Sequence, residues 1–384
     1  MDDKICVVTS SRADYGLLKP LLIKLERSNK CRLQILITGS HLIKKYGYTI
    51  NEIIHDQYKK IHKLKFNMSS DTNLNTNKSI GIMIKKSSIK LNSIKPKLLV
   101  VMGDRFEIFA IVVASYVLNI PVVHISGGET TEGALDEAFR HSITKMSFLH
   151  FTSTNIYKKR VIQLGENPNS VFNIGEIGLD NIKNINYLTK NNLVNKFNIK
   201  FDKYNFLITL HPVTLEKESS QKNITNLLKA LSTQKETNFF FTLSNADPDN
   251  NIINSKIKSY IKQNKNRSFY FKSLGRENYL SLLKFVDCVI GNSSSGIIEA
   301  PSFKTYTIDI GDRQKGRVRS KSVININSNV KEIIKAINKV KSNKKNQAIF
   351  HNPYFKKNSV DKCYKILVKY LYKNINLKKT FYDL

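Results

Sequence analysis

The chain has 384 residues, which exceeds one ordinary domain core, so two domains are expected. Hydrophobic residues make up 41% of the sequence and charged residues 24%, and these proportions exclude a largely disordered chain. No apolar run reaches the roughly 20 residues of a membrane-spanning helix, and the acidic first residues lack the regions of a signal peptide. We therefore expect a soluble, cytoplasmic protein with no membrane partner.

The charge balance is the unusual feature of the composition. There are 62 Lys and Arg residues against 30 Asp and Glu, a formal net charge of +32, which alone would suggest a polyanionic partner. The excess is spread along the chain in pairs such as Lys59-Lys60 and Lys344-Lys345, whereas nucleic-acid binders concentrate it on one face or tail. We expect no nucleic-acid partner, only a field that attracts a small anionic substrate.

The cysteines give no sign of a metal site. The four of them are scattered, without the Cys-x-x-Cys pair of most structural zinc sites, and we expect buried reduced thiols at Cys6, Cys31, Cys288 and Cys363.

In the first half of the chain, short β-branched runs alternate with amphipathic helical patterns. The predicted strands are Ile5–Ser10, Leu33–Thr38, Leu98–Met102, Val122–Ile125, Leu149–Thr152 and Val171–Ile174. The predicted helices are Tyr15–Leu25, Ile80–Leu91, Phe106–Val117, Ala134–Met146 and Ile156–Leu164. Because the strands are apolar on both faces, the pattern predicts a parallel sheet covered by helices.

A polar stretch, Leu179–Asp202, then predicts an interdomain linker with a helix, and the pattern starts again. The predicted strands are Phe206–Leu210, Phe239–Leu243, Phe269–Phe271, Cys288–Ile290, Tyr306–Ile310 and Val323–Ile326, and the helices are Ile224–Leu231, Asn278–Phe285, Ile297–Pro301, Val330–Val340 and Val360–Leu371.

This predicts two doubly wound α/β domains, residues 1–180 and 203–355, joined by a linker at 181–202. Residues 356–384 would form a C-terminal helix that packs back on the first domain. In such folds ligands bind beyond the C-terminal ends of the strands, so the cleft between the domains is the expected site.

Acidic residues follow the strands of the first half. Gly103-Asp104-Arg105 follows the third strand, Glu129 comes shortly after the fourth, and Asp136 stands near the start of the next helix. Asp104 could cap a helix and Asp136 could be an ordinary first-turn acid. Several carboxylates at successive strand ends are, however, what proton abstraction and redelivery on a sugar ring require.

An arginine also follows the first strand. In Ser10-Ser11-Arg12-Ala13-Asp14, Arg12 could pair with Asp14 at the helix start or present a fork of donors to a ligand.

The second half contains a Ser-rich turn that predicts an anion site. Strand Cys288–Ile290 runs into Gly291-Asn292-Ser293-Ser294-Ser295-Gly296 and then Glu299, where backbone N–H groups and hydroxyls could hold phosphate oxygens. His211 follows another strand, and Arg313 lies in a basic segment after a third. The turn is neither a Walker A motif nor G-x-G-x-x-G, so ATP-driven and NAD chemistry lose support and no cofactor is expected.

These motifs together resemble the hydrolysing UDP-N-acetylglucosamine 2-epimerases of bacterial sialic acid synthesis. The resemblance covers nearly the whole chain and rests on Arg12–Gly16, Gly103–Arg105, Gly127–Glu129, Asp136–His141, His211-Pro212, Gly291–Glu299, Gly311–Gly316 and Asn352–Tyr354. It implies a glycosyltransferase-B type fold with two Rossmann-like domains facing across a cleft. It also implies conversion of UDP-N-acetylglucosamine and water to N-acetylmannosamine and UDP, by anti-elimination to a glycal and then hydration, without NAD or a metal.

The resemblance also implies roles for individual residues. The residues expected to be catalytic are Asp104, Glu129, Asp136 and His211, and those expected to bind the UDP-sugar are Arg12, Asp14, Arg105, Asn245, Ser293, Ser294, Glu299 and Arg313. Ser126 departs from the pattern, because many relatives have a catalytic Glu there. A homodimer or homotetramer is expected.

Three other functions compete with this one. An epimerase for a UDP- or GDP-linked diacetamido-trideoxy sugar would share the same motifs, and the stretches 140–165 and 313–323 favour UDP-N-acetylglucosamine over it. A glycosyltransferase needs one base and an acceptor groove, which the acid-rich strand ends do not suggest. A nucleic-acid-binding protein lacks support because its basic block is missing.

Overall fold

The computed structural model describes residues 3–44, 47–66, 72–132, 134–180, 182, 185–213, 219–243, 250–271, 274–343 and 347–384. Its first sheet is built from β1 (Lys4–Thr9), β2 (Arg32–Ile37), β3 (Ile61–Lys63), β4 (Leu98–Met102), β5 (Val122–Ile125), β6 (Leu149–Thr152) and β7 (Val171–Asn173). The second contains β8 (Tyr204–Thr209), β9 (Thr237–Thr242), β10 (Ser268–Phe271), β11 (Cys288–Gly291), β12 (Tyr306–Ile310) and β13 (Val323–Ile326).

The helices accompanying the first sheet are α1 (Arg12–Glu26), α2 (Ile50–His55), α3 (Asn73–Ile94), α4 (Phe106–Val117), α5 (Asp136–Met146), α6 (Asn155–Gln163) and α7 (Ile177–Asp180). Those that follow are α8 (Lys190–Phe197), α9 (Ser219–Ser232), α10 (Asn250–Gln263), α11 (Gly275–Leu283), α12 (Ser294–Ile298), α13 (Val330–Ser342) and α14 (Ser359–Leu371).

Both sheets have the strand order of a doubly wound fold. The first runs β3-β2-β1-β4-β5-β6-β7 and the second β10-β9-β8-β11-β12-β13, with the described strands pairing in parallel. In each sheet the order reverses where the chain returns beside the starting strand, between β1 and β4 and between β8 and β11. Ligands of doubly wound sheets bind at the C-terminal ends of the strands on either side of this reversal.

The chain divides into two compact units. The first comprises Met1–Glu129, Asp136–Lys183 and Tyr354–Leu384, and the second Thr130–Leu135 and Asn184–Pro353. Helix α14 therefore belongs to the first unit, where Cys363 and Leu367 are fully buried in its core. A short segment of the N-terminal half, Thr130–Leu135, belongs to the second.

The core of the first unit explains why the central residues of β1 are apolar on both faces. Side chains alternate between the faces of a strand. On β1, Ile5 and Val7 pack into one apolar cluster with α1 and α14, while Cys6 and Val8 pack into another with α3 and α4. Both faces of β1 are covered, which is why Ile5, Cys6, Val7 and Val8 are all apolar.

The second unit repeats this arrangement. Phe206 and Ile208 of β8 lie in a cluster with α9 and α13, and Leu207 between them lies in a cluster with α11.

The predicted fold class of two Rossmann-like, doubly wound α/β domains is confirmed. The predicted bounds of β4, β5, β6, β12, β13 and α4 match the structure, while β3, α2, α7 and α10 were not predicted individually. All four cysteines are buried and free, as expected. Among the described residues, no helix combines the length and apolar character that crossing a membrane would need.

Candidate functional site

Asp104 stands directly beyond β4, at the reversal point of the first sheet. The N-cap of α4 is Arg105, and that helix start has no side-chain cap, so the alternative that Asp104 caps α4 is wrong. Instead, Asp104 Oδ2 accepts a hydrogen bond from Nη2 of Arg140 on α5. Arg140 is 2% exposed, and its Nε and Nη1 have no hydrogen-bond partner among the described residues. The pair thus combines a fixed carboxylate with two unused buried donors.

A buried histidine braces the loop that carries Asp104. His124 in β5 is fully buried, and its Nε2 lies 2.8 Å from the carbonyl oxygen of Gly103. A carbonyl can only accept, so Nε2 carries the proton and Nδ1 accepts from Thr144 Oγ1 at 3.1 Å. Burial lowers the pKa of His124 to about 3, although its bond to Gly103 acts in the opposite direction. His124 is therefore a neutral structural brace.

Glu129 follows β5 in a tightly packed turn. It is 2% exposed, and its Oε1 accepts a hydrogen bond from Ser153 Oγ at 2.9 Å. Gly128 beside it has φ +76°, and a Cβ there would lie 2.5 Å from the carbonyl oxygen of Tyr157. Only glycine fits this approach of turn to helix α6, so the backbone directly before Glu129 packs against that helix.

The structure adds an unpredicted carboxylate beside Ser126. Ser126 has a left-handed backbone, φ +64°, and its Oγ donates to Glu176 Oε2 at 3.5 Å. Glu176 is 2% exposed and its Oε1 also accepts from the backbone N–H of Gly178 at 3.2 Å. A buried acid that follows β7 thus stands next to Ser126, the position where the family resemblance leads us to expect a Glu.

Two acids occupy the first turn of α5. Asp136 begins the helix and is half-buried, and Glu137 follows it. Glu137 Oε1 lies 3.1 Å from Nε2 of His141 one turn later, a local pair on the helix surface. Glu137, the next residue in the same turn and with the same charge, therefore serves as a comparison for Asp136.

After β1, the carboxylate of Asp14 takes part in capping the N-terminus of α1. Its carboxylate accepts from the backbone N–H groups of Ser10 and Ser11 at 2.8 and 2.9 Å, and from Thr9 Oγ1 at 2.8 Å. Burial lowers the pKa of Arg12, and the nearby charge of Glu52 opposes this effect. The structure thus places Asp14 in a capping box and makes Glu52 the acid that acts on Arg12.

Arg105 has a local partner in the same loop. Its Nε and Nη2 lie 3.2 and 3.4 Å from the carboxylate oxygens of Glu107, which is 2% exposed.

In the second unit, Asn292 fixes the backbone of His211 across the sheet reversal. Asn292 Oδ1 accepts from the His211 N–H at 2.7 Å, and its Nδ2 donates to the His211 carbonyl at 2.8 Å. The carbonyl of Asn292 accepts from Arg313 Nη1 at 3.1 Å and from Gln314 Nε2 at 2.9 Å. The buried residue Asn292 therefore connects the ends of β8, β11 and β12, through its side-chain amide to His211 and through its backbone carbonyl to Arg313 and Gln314.

The Ser-rich turn leads into a helix of five residues, Ser294–Ile298, which begins three residues earlier than the predicted helix Ile297–Pro301. Ser293 caps it by accepting from the Ser295 N–H at 3.4 Å. Ser295 Oγ donates to Glu299 Oε2 at 2.7 Å and lies 2.7 Å from Tyr279 OH. Arg276 Nη1 donates to Glu299 Oε1 at 2.8 Å. The carboxylate of Glu299 is therefore oriented from both sides.

A buried acid supports the segment that carries Arg313. Asp309 in β12 is 1% exposed, and its Oδ2 accepts from Arg319 Nη2 at 2.8 Å. Burial raises the pKa of Asp309 to about 6, against the lowering influence of Arg319. Arg319 Nη2 also donates to the Gln314 carbonyl at 3.0 Å, which holds the segment in place.

The predicted site residues fall into two groups. The first unit holds Arg12, Asp14, Asp104, Arg105, Glu129 and Asp136, and the second holds His211, Ser293, Ser294, Glu299 and Arg313. Asn245 lies outside the described residues. Within the described part of the chain, no three His, Cys, Asp or Glu side chains converge as metal ligands.

The sequence did not assign roles to several residues that contact this machinery, namely Arg140, His124, Glu176, Arg276, Tyr279 and Gln314. Arg140 lies in the motif Asp136–His141, but the sequence did not indicate that its partner is Asp104. The others carry no local signal, because each has a partner in another element of the fold.

The comparisons with known proteins match 2-epimerases and a related biosynthesis protein over most of the chain. The family model described as UDP-N-acetylglucosamine 2-epimerase matches residues 23–368. A GDP/UDP-N,N'-diacetylbacillosamine 2-epimerase (hydrolyzing) of Campylobacter jejuni is 41% identical over 88% of this chain and 88% of its own. The polysialic acid biosynthesis protein P7 of Escherichia coli is 40% identical over 99% of this chain and 97% of its own.

A solved structure shows the same fold. The crystal structure of UDP-GlcNAc 2-epimerase from Neisseria meningitidis, bound to UDP-GlcNAc, superposes with a TM-score of 0.81 at 18% identity, covering 95% of this chain and 100% of that one. The glycosyltransferase-B type fold and the family resemblance are both confirmed. The chain belongs to the UDP-N-acetylglucosamine 2-epimerase family.

Proposed function

We propose that this enzyme is a hydrolysing 2-epimerase that converts UDP-N-acetylglucosamine and water to N-acetylmannosamine and UDP. The observation that carries the proposal is the set of carboxylates Asp104, Glu129 and Asp136, placed after adjacent strands β4 and β5 and at the start of α5. The buried guanidinium of Arg140 fixes the first of them.

The chemistry of the proposed reaction explains why the site contains several carboxylates. The C2 proton of the sugar is not acidic, so it leaves only as the C1–O bond to UDP breaks, and a glycal remains. Water then adds its oxygen to C1 while C2 takes a proton on the opposite face, which gives the epimer. Each step needs a carboxyl group to accept or return a proton near C1 and C2.

Within the first unit, the proposal gives acid/base roles to Asp104 and Asp136, with Glu129 nearby. Arg140 would hold Asp104 in one orientation, and its two unpartnered N–H donors could serve an oxygen of the substrate. Arg12 and Arg105 would add positive charge for the nucleotide-sugar, with Asp14 shaping the loop that presents Arg12.

Within the second unit, the proposal assigns the departing UDP to the residues at the ends of β8, β11 and β12. Arg313 and the backbone of Ser293 and Ser294 would hold the diphosphate. His211, held by Asn292, would contact the UDP-sugar, and Glu299 would accept hydrogen bonds from the ribose hydroxyls. Leaving-group stabilisation of this kind contributes to elimination because negative charge grows on the diphosphate as C1–O breaks.

The comparisons support both the proposed substrate and a second candidate. The family description names UDP-N-acetylglucosamine, and the Escherichia coli relative is named for polysialic acid biosynthesis, the kind of pathway for which we expect N-acetylmannosamine. The 41% identical Campylobacter jejuni relative favours a UDP- or GDP-linked N,N'-diacetylbacillosamine, which differs from N-acetylglucosamine at C4 and C6. The reaction at C1 and C2 would be the same for both.

A direct comparison of substrates tests this proposal. The purified protein is incubated in parallel with UDP-N-acetylglucosamine, UDP-diacetylbacillosamine and its GDP-linked form, and the released sugar and nucleotide are identified by NMR. We expect the highest kcat/KM with UDP-N-acetylglucosamine, giving N-acetylmannosamine and UDP. A higher kcat/KM with a bacillosamine donor would show that the second candidate is the substrate. If none of the three donors is turned over, the proposed function is wrong.

A further inference from the structure

The segment Thr130–Leu135, here called the strap, links two of the proposed acid/base residues. Glu129 directly precedes it and Asp136 directly follows it. Both neighbours belong to the first unit, whereas the strap itself belongs to the second. Whatever fixes the strap therefore acts on the chain between two carboxylates of the proposed reaction.

The strap is held by residues 315–317, which follow β12. Arg317 Nε donates to the Thr130 carbonyl at 3.1 Å, and Thr130 Oγ1 donates to the Lys315 carbonyl at 3.5 Å. Lys315 Nζ lies 4.0 Å from Glu132 Oε2. Thr130 and Thr131 are 8% and 5% exposed, so this part of the strap is packed rather than solvated.

Gly316 sits at the centre of this attachment. Its φ is +79°, and a Cβ there would lie 2.5 Å from Thr130 Oγ1 and 2.8 Å from Glu132 Oε1. Gly311, in the same segment, has φ +76° with no atom within 4 Å of its Cβ position. The two glycines share the same backbone requirement, and only Gly316 is in close contact with the strap.

We infer that Gly316 is a positioning residue for the proposed reaction: the absence of a side chain lets the strap seat on residues 315–317, and the seated strap sets the positions of Glu129 and Asp136. The inference rests on the proposed function. A displacement of reacting groups by about 1 Å can cost up to about 10²-fold in rate, so a shift of the strap is enough to matter.

The test compares Gly316→Ala with Gly311→Ala. Both substitutions put alanine at a positive φ and cost similar backbone strain. We expect Gly316→Ala to lower kcat about 10-fold or more relative to Gly311→Ala, while the Kd for UDP changes by less than about threefold. In the double variant, Thr130→Ala removes the nearest atom, and we expect it to restore part of the lost kcat.

Two further measurements keep the outcomes separate. Hydrogen exchange of the amides in 128–140 is expected to be faster in Gly316→Ala than in Gly311→Ala, whether or not the protein turns over a UDP-sugar. If Gly316→Ala does not fold, Thr130→Leu provides a second test. Its larger side chain crowds the same contact from the strap side, so we expect it to lower kcat.

Equal kcat values in the two glycine variants, or no rescue by Thr130→Ala, would overturn the positioning role while the wild-type activity stands. If the wild type is inactive on every UDP-sugar, the proposed function fails, and unchanged hydrogen exchange would then also overturn the strap contact.

Discussion

Asp104, beyond strand β4, accepts a hydrogen bond from the buried guanidinium of Arg140 on helix α5. The contact joins the loop after β4 to helix α5, which follows the neighbouring strand β5. It therefore fixes the position of this loop relative to α5. His124 reinforces the same loop from β5 through the Gly103 carbonyl. Rigid support of this kind is what a group that transfers protons at a sugar carbon needs.

The first prediction concerns this pair. Asp104→Asn removes the negative charge, keeps the shape and leaves Arg140 facing a neutral amide. We expect kcat to fall by about 10²-fold or more, because an amide cannot exchange the proton, while the Kd for UDP measured by calorimetry stays within about threefold. Near-normal turnover would show that Asp104 only supports the structure.

The second prediction separates two neighbouring acids. Asp136→Asn is expected to lower kcat by about 10²-fold or more, whereas Glu137→Gln, which weakens its local pair with His141, is expected to keep kcat within about threefold. Steady-state kinetics under the same conditions decide between them. Equal losses would mean that the first turn of α5 acts through its charge as a whole.

The third prediction concerns the nucleotide end of the site. Glu299→Gln weakens the pair with Arg276 and one acceptor for a ribose hydroxyl, so we expect the Kd for UDP to rise about 10-fold. The control is Glu277→Gln, an exposed position on α11, which is expected to leave the Kd unchanged. Calorimetric titration with UDP measures both. An unaltered Kd in Glu299→Gln would place the ribose elsewhere.

The fourth prediction uses the neutral histidine under the Asp104 loop. Burial lowers the pKa of His124 from 6.5 to about 3, so between these pH values the unfolded chain binds a proton that the folded chain does not. The free energy of unfolding must therefore fall as the pH drops below about 6.5, by up to about 1.4 kcal/mol per pH unit for this group. In His124→Gln this contribution is absent.

Urea unfolding at pH 7.5 and pH 5.5 checks this sign. We expect the loss of stability between the two pH values to be about 1.4 kcal/mol smaller in His124→Gln than in the wild type. An identical loss would mean that other groups, among them the buried His41 and His150, account for the pH dependence.

Much of the fold could be predicted because its strands are buried on both faces. β4, with five consecutive apolar residues between Lys97 and Gly103, was bounded correctly because its burial leaves a clear apolar run. β3 was missed because it has three residues and includes a His and a Lys at the sheet edge. A strand of that length has no period to detect.

The candidate site was predictable only as a set of residue types after strands. The sequence singled out Asp104 and Arg140, but it could not show that their side chains meet, because that depends on how α5 packs against α4 and β5. The strap is a stronger case: Thr130 and Lys315 are 185 residues apart in sequence. Contacts between distant segments leave no local pattern, and Gly316 looks like any other turn glycine until the fold is known.

The most direct test of the central claim is the origin of the hydrogen at C2 of the product. The wild-type protein is incubated with UDP-N-acetylglucosamine in deuterated water, and the released sugar is examined by proton NMR and mass spectrometry. The account predicts N-acetylmannosamine with one deuterium at C2, accompanied by free UDP. Product that keeps its original C2 proton, or a sugar released with its configuration at C2 unchanged, would contradict it.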